Sequence, residues 1–365
     1  MLDSRKEYTG GGIKMKIFKR IFVDGLTGMT LGLFATLVMG IILQQIGSWI
    51  GSAEGTMIMT MAALLKMMTG AGIGIGVASR LEEHPLIVVS AAAAGMAGAF
   101  APAIIAGSLT VKSGLQISGY GEPLSAFLAA YVGIELGRLF IGRTNLDIIL
   151  SPLVTIAAGS IVGLLAGPYL TLLIEKISHM VQWGTKQEPF LMGMVVAVLM
   201  GMILTLPFGA SAIAVSLHLT GIAAGAATVG CCVQMVGFAA ASYRENGFGG
   251  MLAQGIGTPM LQLPNIIRRP WIWLPTILTS AVLGPISTLL FKMTNSAAGA
   301  GVGTCGLLGP FSAYHSMVSA GRPELAALII VVLMCFVAPI VVTYVIAEAM
   351  RRLGVIKDGD MQIEV

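Results

Sequence analysis

The sequence predicts an all-α protein: a polytopic transmembrane helical bundle of about ten spans, with re-entrant segments and an inverted repeat. Three observations carry that prediction. Of 365 residues, 56% are hydrophobic and only 10% charged, whereas a soluble domain carries about 25% charged residues to face water. The mean hydropathy is +0.89. Apolar runs recur along the chain at the length of a bilayer crossing, about 20 residues. A disordered Gly-rich chain would not be this apolar. The 48 glycines suit helices that pack backbone to backbone in lipid, where small residues permit close approach.

Taken in order, residues 1–25 form a basic tail, with Lys14, Lys16, Lys19 and Arg20 beside the first apolar run. Such charges orient a membrane protein, and no stretch reads as a nucleic-acid module. Met1–Arg20 is polar and the run after it lacks a small-residue cleavage site, so a retained first span is expected rather than a secretion signal. Spans are predicted near 26–50, 56–79, 85–107, 124–143, 148–173, 189–209, 216–242, 247–267, 271–291 and 325–349. The eighth has the weakest signal, being rich in Gly, Pro and Gln. The stretch 294–318 (TNSAAGAGVGTCGLLGPFSAYHSMV) is too broken for a lipid-facing helix. It predicts a re-entrant segment, tolerable only where protein or a water-filled cavity surrounds it. The transmembrane domain then covers 26–350, and 351–365 is a C-terminal tail.

Positive charges test this order. With the N-terminus inside and strict alternation, the inside loops hold fourteen Lys and Arg and the outside loops six, as the positive-inside rule requires. Dropping the eighth span would send Arg351, Arg352 and Lys357 outside. Both termini are therefore expected in the cytoplasm, on a multi-pass protein of the bacterial cell membrane.

Internal similarity supports a repeat. GLFATLVMGIIL from Gly32 matches GMVVAVLMGMIL from Gly193 at an offset of 161, Ala78-Ser79-Arg80 matches Ala241-Ser242-Tyr243-Arg244 at 163, and Pro102 matches Pro264 at 162. GPYLTLL from Gly167 matches GPISTLL from Gly284 at only 117, so the second copy has lost about the fourth span. The halves are about 26–176 and 189–292. Five spans precede the second copy, which inverts it, an arrangement that places solute sites of secondary transporters near the midplane at broken segments.

Charges inside the membrane are costly and mark function or pairing. Lys66 lies within the second predicted span and Glu135 within the fourth. Glu135 and Arg138 share a helix face and can pair, so Glu135 and Lys66 read either as coupling charges or as structural ones. Gln234, Gln254, Thr258, Gln262 and Asn265, with His218 after the Pro207–Gly209 break and Asn295 in the broken 294–318 stretch, form an uncharged polar set. Gln254, Thr258 and Gln262 recur every four residues, one face of a helix. Pro259 and Pro264 break that helix and free backbone groups. Amides and hydroxyls of this kind suit a polyhydroxylated solute; alternatively they satisfy one another. Cys231, Cys232, Cys305 and Cys335 sit in apolar runs without metal or disulfide spacing. The Gly-rich stretches 69–76 and 299–306 follow no strand, which argues for close packing or a bent re-entrant backbone rather than nucleotide binding. No HExxH, Ser-His-Asp or metal-spaced carboxylate pattern occurs, so no catalytic centre, metal or cofactor is expected.

YTGGGIKMKIFKRIFVDGLTGMTLGLFATLVMG, LTGIAAGAATVGCCVQMVGFAAASYRENGFGGMLAQGIGTPMLQLPN, and GPISTLLFKM followed by GAGVGTCGLLGP resemble the second family of phosphotransferase-system EIIC membrane proteins, which includes the perfringolysin-regulator-like proteins. The resemblance runs over nearly the whole chain. It implies a homodimeric sugar carrier whose EIIA and EIIB partner proteins phosphorylate the sugar at the inner face. Two departures stand out. Gly121-Glu122-Pro123 only echoes the GITEP-type loop of better-known sugar EIICs, and strict alternation puts it outside. No EIIB cysteine or EIIA histidine module is expected in the roughly fifteen residues after Met350. The expected function is transport of a small polar solute, a sugar, with a membrane sensor or regulator and an ion-coupled symporter as alternatives.

Overall fold

The computed structural model describes residues 18–111, 114, 115, 117, 119–143 and 146–363; the basic tail expected over 1–25 lies mostly outside them. Ten helices order the described chain: α1 (Arg20–Ile50), α2 (Ala53–Met67), α3 (Thr69–Arg80), α4 (Pro85–Ala99), α5 (Pro123–Gly137), α6 (Asp147–Thr185), α7 (Pro189–Thr205), α8 (Gly221–Ala241), α9 (Pro270–Leu290) and α10 (Glu324–Arg352). By length and apolarity, α1, α6, α8, α9 and α10 can each cross a membrane, and α2 with α3 forms one crossing bent by 52°. α4, α5 and α7 are shorter apolar helices. The protein is a polytopic helical membrane protein; among the described residues Thr110–Val111 pairs with Gly114–Leu115 in a minimal ladder.

Local chemistry sets many of the boundaries. α4, α5 and α7 each begin on a proline, whose fixed φ and missing N–H suit the first helical turn. At the α2–α3 bend the Thr69 hydroxyl donates to the Lys66 carbonyl at 2.6 Å, a local bond that competes with regular helix. α1 and α3 cross on glycines. A Cβ on Gly32 would lie 2.2 Å from the Gly72 carbonyl oxygen, and one on Gly76 2.2 Å from that of Gly28. The stretch 69–76 is thus a packing face, not a ligand loop. Around this crossing the first core gathers Met29, Leu33, Ile73, Ile87, Phe127 and Ile134.

Strict alternation of spans fails in two places. α7 and α8 run parallel: Gly201 packs on Gly230, and four residues further on Thr205 bonds Gln234 at 3.2 Å. The chain must therefore return between them, through 206–220. Pro207 starts the return, because the residue before a proline is pushed out of the helical region and Leu206 is extended at φ −84°, ψ 159°. The second failure is the eighth predicted span, 247–267, which is not a single helix. It passes through helix Tyr243–Leu252, a π turn Ala253–Gly257, a 3-10 turn Pro259–Gln262 and helix Leu263–Arg268. Asn246 on its first arm and Gln262 and Asn265 on its second all bond residues 361–363. Both arms consequently meet the same end of the bundle, and 243–268 is a hairpin.

That end is the basic one. It holds Arg20 and Arg80, Arg268 beside Thr27 and Ile363, and Arg244, which pairs with Glu348 at 3.3 Å. Alternation had put Arg244 at the opposite end; the return at 206–220, which reverses α8, brings it to the basic one. The added return at 206–220 and the removed crossing at 243–268 offset each other, so α10 still finishes beside the start of α1.

A second hairpin, 294–319, enters from the opposite end, where Thr294 meets Ser316 at 3.0 Å and Ser296 meets Ser312 at 2.9 Å. This is the re-entrant segment expected from its composition. Gly303 and Gly306 at its tip have φ of 60° and 55°, a backbone region that glycine enters without strain. The two tips touch: Thr304 donates to the Gly255 carbonyl. Gly40 of α1 rests on Ala62 and Lys66 of α2, and Gly201 of α7 on Gly230 of α8.

Candidate functional site

Four interruptions of the helical framework converge on one cavity of about 60 Å³. The loop before α5 brings Tyr120; the break after α7 brings Phe208, Gly209 and Ser211; the first hairpin brings Gly257, Thr258 and Met260; the second brings Gly301, Val302 and Cys305. Leu37 and Ile41 of α1 close one wall. The polar atoms are few and placed. The Tyr120 and Ser211 hydroxyls lie 3.0 Å apart, and the Thr258 hydroxyl accepts from the Met260 N–H at 3.3 Å. Apolar walls with a few fixed hydroxyls and exposed backbone edges are the usual make-up of a small-molecule site. About 60 Å³ is far below the roughly 300–1,000 Å³ of a ligand-bearing pocket, so a sugar enters only if the lining segments part.

Gly121-Glu122-Pro123 stands just behind this cavity. Gly121 has φ 72°, and a Cβ there would lie 2.7 Å from the Ala99 carbonyl oxygen; the Glu122 N–H donates to that same oxygen at 2.7 Å. Pro123 then opens α5. Glu122 Oε1 is buried without a hydrogen-bond partner among the described residues. An unmet buried acceptor costs free energy, so a water or a ligand group is expected to meet it.

The polar residues singled out in the sequence separate into distinct places. Thr258 lines the cavity. Gln254, Gln262 and Asn265 come together, but against the C-terminal tail: Gln262 Nε2 donates to Gln254 Oε1 at 2.9 Å and to the Met361 carbonyl at 2.9 Å. Asn265 Nδ2 donates to Gln262 Oε1 at 3.0 Å and to the Gln362 carbonyl at 2.8 Å. The spacing of four placed Gln254, Thr258 and Gln262 on one helix face; the break at Thr258 turns the second arm back and puts the amides at the hairpin base. Gln234, fully buried, accepts at Oε1 from Thr205, Trp273 and Thr276. Asn295 ties the second hairpin by donating to Thr228 Oγ1 at 2.7 Å and the Gly309 carbonyl at 3.1 Å. His218 is exposed on the return to α8, with φ 48°.

The two membrane charges also have partners. Lys66 donates to Gln44 Oε1 on α1. Glu135 accepts from Arg20 Nε at 2.7 Å and meets Arg138 Nη2 at 2.5 Å, while Arg20 also reaches Glu83. This four-member cluster joins α1, the α3–α4 turn and α5 at the basic end. Cys231, Cys232, Cys305 and Cys335 are buried free thiols.

Tyr120, Ser211 and Glu122 were not in the sequence-derived set. The signal for Glu122 was the Gly-Glu-Pro echo, displaced by the strict alternation of spans. The signal for Ser211 was the Pro207–Gly209 break, which drew attention to His218 instead.

Against known families, the model described as "Phosphotransferase system, EIIC" matches residues 23–363. No curated protein matches the chain. The family match covers the cavity, both hairpins and the C-terminal tail as far as Ile363.

Proposed function

The chain belongs to the phosphotransferase-system EIIC family, and from that premise we propose that it binds its sugar in the cavity among Tyr120, Ser211 and Thr258. The observation that carries this reading is the convergence of four chain breaks on that one space. Transporters place solute where discontinuous segments meet inside the bilayer, because freed backbone groups can be unsatisfied only where something polar comes to meet them. A sugar offers hydroxyls on its rim and C–H on its faces. The cavity answers with three hydroxyls and with the apolar side chains of α1 and of both hairpins.

Under this reading the basic end faces the cytoplasm, as the positive-inside rule requires, and separate EIIA and EIIB proteins deliver the phosphoryl group there. The hairpin of 243–268 opens the cavity toward that face and the hairpin of 294–319 toward the other. Glu122, with one acceptor unmet, stands ready to receive a sugar hydroxyl once the site expands.

The test is thermal stabilisation of the purified full chain by a panel of sugars, repeated on Tyr120→Phe and Ser211→Ala. We expect at least one sugar to stabilise the parent, and the shift to shrink at least threefold in each variant while the ligand-free melting temperature stays close to parental. If no sugar stabilises the parent, or if both variants respond as the parent does, the cavity is not the sugar site.

A further inference from the structure

The segment after α10 is not a free tail. Ile356 and Met361 are buried, at 2% and 0% exposure, in a core with Phe238 of α8, Ile272 of α9 and Ala347 of α10. Its main chain is held by side chains of the 243–268 hairpin rather than by a sheet or helix of its own. The Met361 carbonyl accepts from Asn246 Nδ2 at 2.8 Å and from Gln262 Nε2 at 2.9 Å, the Gln362 carbonyl from Asn265 Nδ2 at 2.8 Å, and the Ile363 N–H donates to Asn246 Oδ1 at 2.8 Å. Asp360 faces Arg269 at 3.7 Å. Asn246 lies on one arm and Gln262 and Asn265 on the other, so this short strap pins both arms together.

The contact leads to the cavity in two steps. Gln262 Nε2 also donates to Gln254 Oε1, and Gln254 opens the hairpin tip, whose next residues Gly257, Thr258 and Met260 line the cavity. A hinge is in place beside the strap: Gly247, one residue after Asn246, is non-helical at φ 59°, ψ −162°. A hairpin built of short helical pieces has no continuous helix to fix its angle, so its base contacts set it.

We infer that the C-terminal segment 356–363 is a latch: bound across the hairpin base it holds the tip against the cavity, and its release lets the hairpin swing at Gly247 and opens the cavity to the basic end. Asn246, Gln262 and Asn265 are then positioning residues, acting on the solute site through the hairpin. The latch lies at the end of the molecule where a phosphoryl-donating partner would dock, which places tail release within that partner's reach. The inference deepens the sugar-cavity reading and rests on it for its meaning in transport.

Its test does not use a sugar, so the two can fail separately. The full chain is placed in lipid nanodiscs with Thr258→Cys in a Cys305→Ser background, because Cys305 lines the same cavity, and the rate of labelling by a small charged methanethiosulfonate is measured; the other native cysteines are buried in the helix cores. The latch is loosened from the hairpin side by Asn265→Leu and, in a separate protein, from the tail side by Met361→Lys. Exposed His218→Cys serves as a control for general loosening. The latch predicts labelling of Thr258→Cys at least tenfold faster in both backgrounds, with the control unchanged. Equal rates in both overturn it. A rise in only one background also overturns it, because the effect then belongs to that residue and not to the contact; a parallel rise in the control does the same, because the whole fold has loosened.

Discussion

Gln234 Oε1 receives three hydrogen bonds, from Thr205 at 3.2 Å, Trp273 Nε1 at 3.0 Å and Thr276 at 2.9 Å. The three are not equal. Thr205 also donates within reach of the Gly201 carbonyl and Thr276 within reach of the Trp273 carbonyl, so each hydroxyl keeps an acceptor if the amide is lost. The indole N–H has no second acceptor among the described residues. Gln234 Nε2 is itself unpartnered, and a leucine removes that unmet donor. Gln234→Leu is therefore expected to cost about 1–3 kcal/mol, the penalty of one stranded donor, not several times that. Denaturation of the purified protein reads this directly. In a Trp273→Phe background the cost should fall below about 1 kcal/mol; a full-sized cost there would mean that the threonines, not the indole, depend on the amide.

At the scale of elements, the glycines divide by what faces them. Gly32 meets the Gly72 backbone, and a Cβ would stand 2.2 Å from its carbonyl oxygen. Backbone cannot step aside as a side chain can, so Gly32→Ala forces α1 and α3 apart, at a cost of about 1–3 kcal/mol or more. Gly249 has nothing within 4 Å of its would-be Cβ and sits in a helical arm. Gly249→Ala should be neutral or stabilise by a few tenths to about 1 kcal/mol. Melting temperatures of the pair check the contrast, and equal effects would contradict the close crossing. For 69–76 the sequence left close packing and a bent re-entrant backbone open, and the Gly32–Gly72 and Gly28–Gly76 approaches decide for packing. The direction of α8 was not: apolarity carries no sign, and only the Thr205–Gln234 and Gly201–Gly230 contacts reveal that α7 and α8 run parallel. Pro207 was visible as a break, but whether a break ends in a new crossing or a short return depends on packing that no local pattern encodes.

For the molecule as a whole, the two hairpins entering from opposite ends make a topological prediction. Arg244→Cys and Arg268→Cys, made separately in sealed vesicles, should be labelled from the same side by an impermeant reagent, and Arg322→Cys from the other. Labelling of the first two from opposite sides would restore 247–267 as a crossing. Bundle class, membrane residence, the family and the re-entrant stretch after Met293 were all readable from composition and motifs, since each is a property summed over many residues. The site was only partly readable. Gln254, Thr258 and Gln262 were assigned to solute on a period of four, with Asn265 beside them, but the break at Thr258 leaves only Thr258 at the cavity. Tyr120 and Ser211, 91 residues apart in sequence, meet through folding alone.

The central claim is that the four breaks enclose the sugar. The most direct measurement is protection of the Thr258→Cys thiol from labelling, with cavity-lining Cys305 replaced by serine, by a sugar that thermally stabilises the parent. A sugar held there slows labelling at least severalfold, over the same concentration range that raises the melting temperature, with no effect on labelling at His218→Cys. A sugar that stabilises the protein yet leaves the Thr258→Cys rate unchanged would place the solute elsewhere and contradict the account.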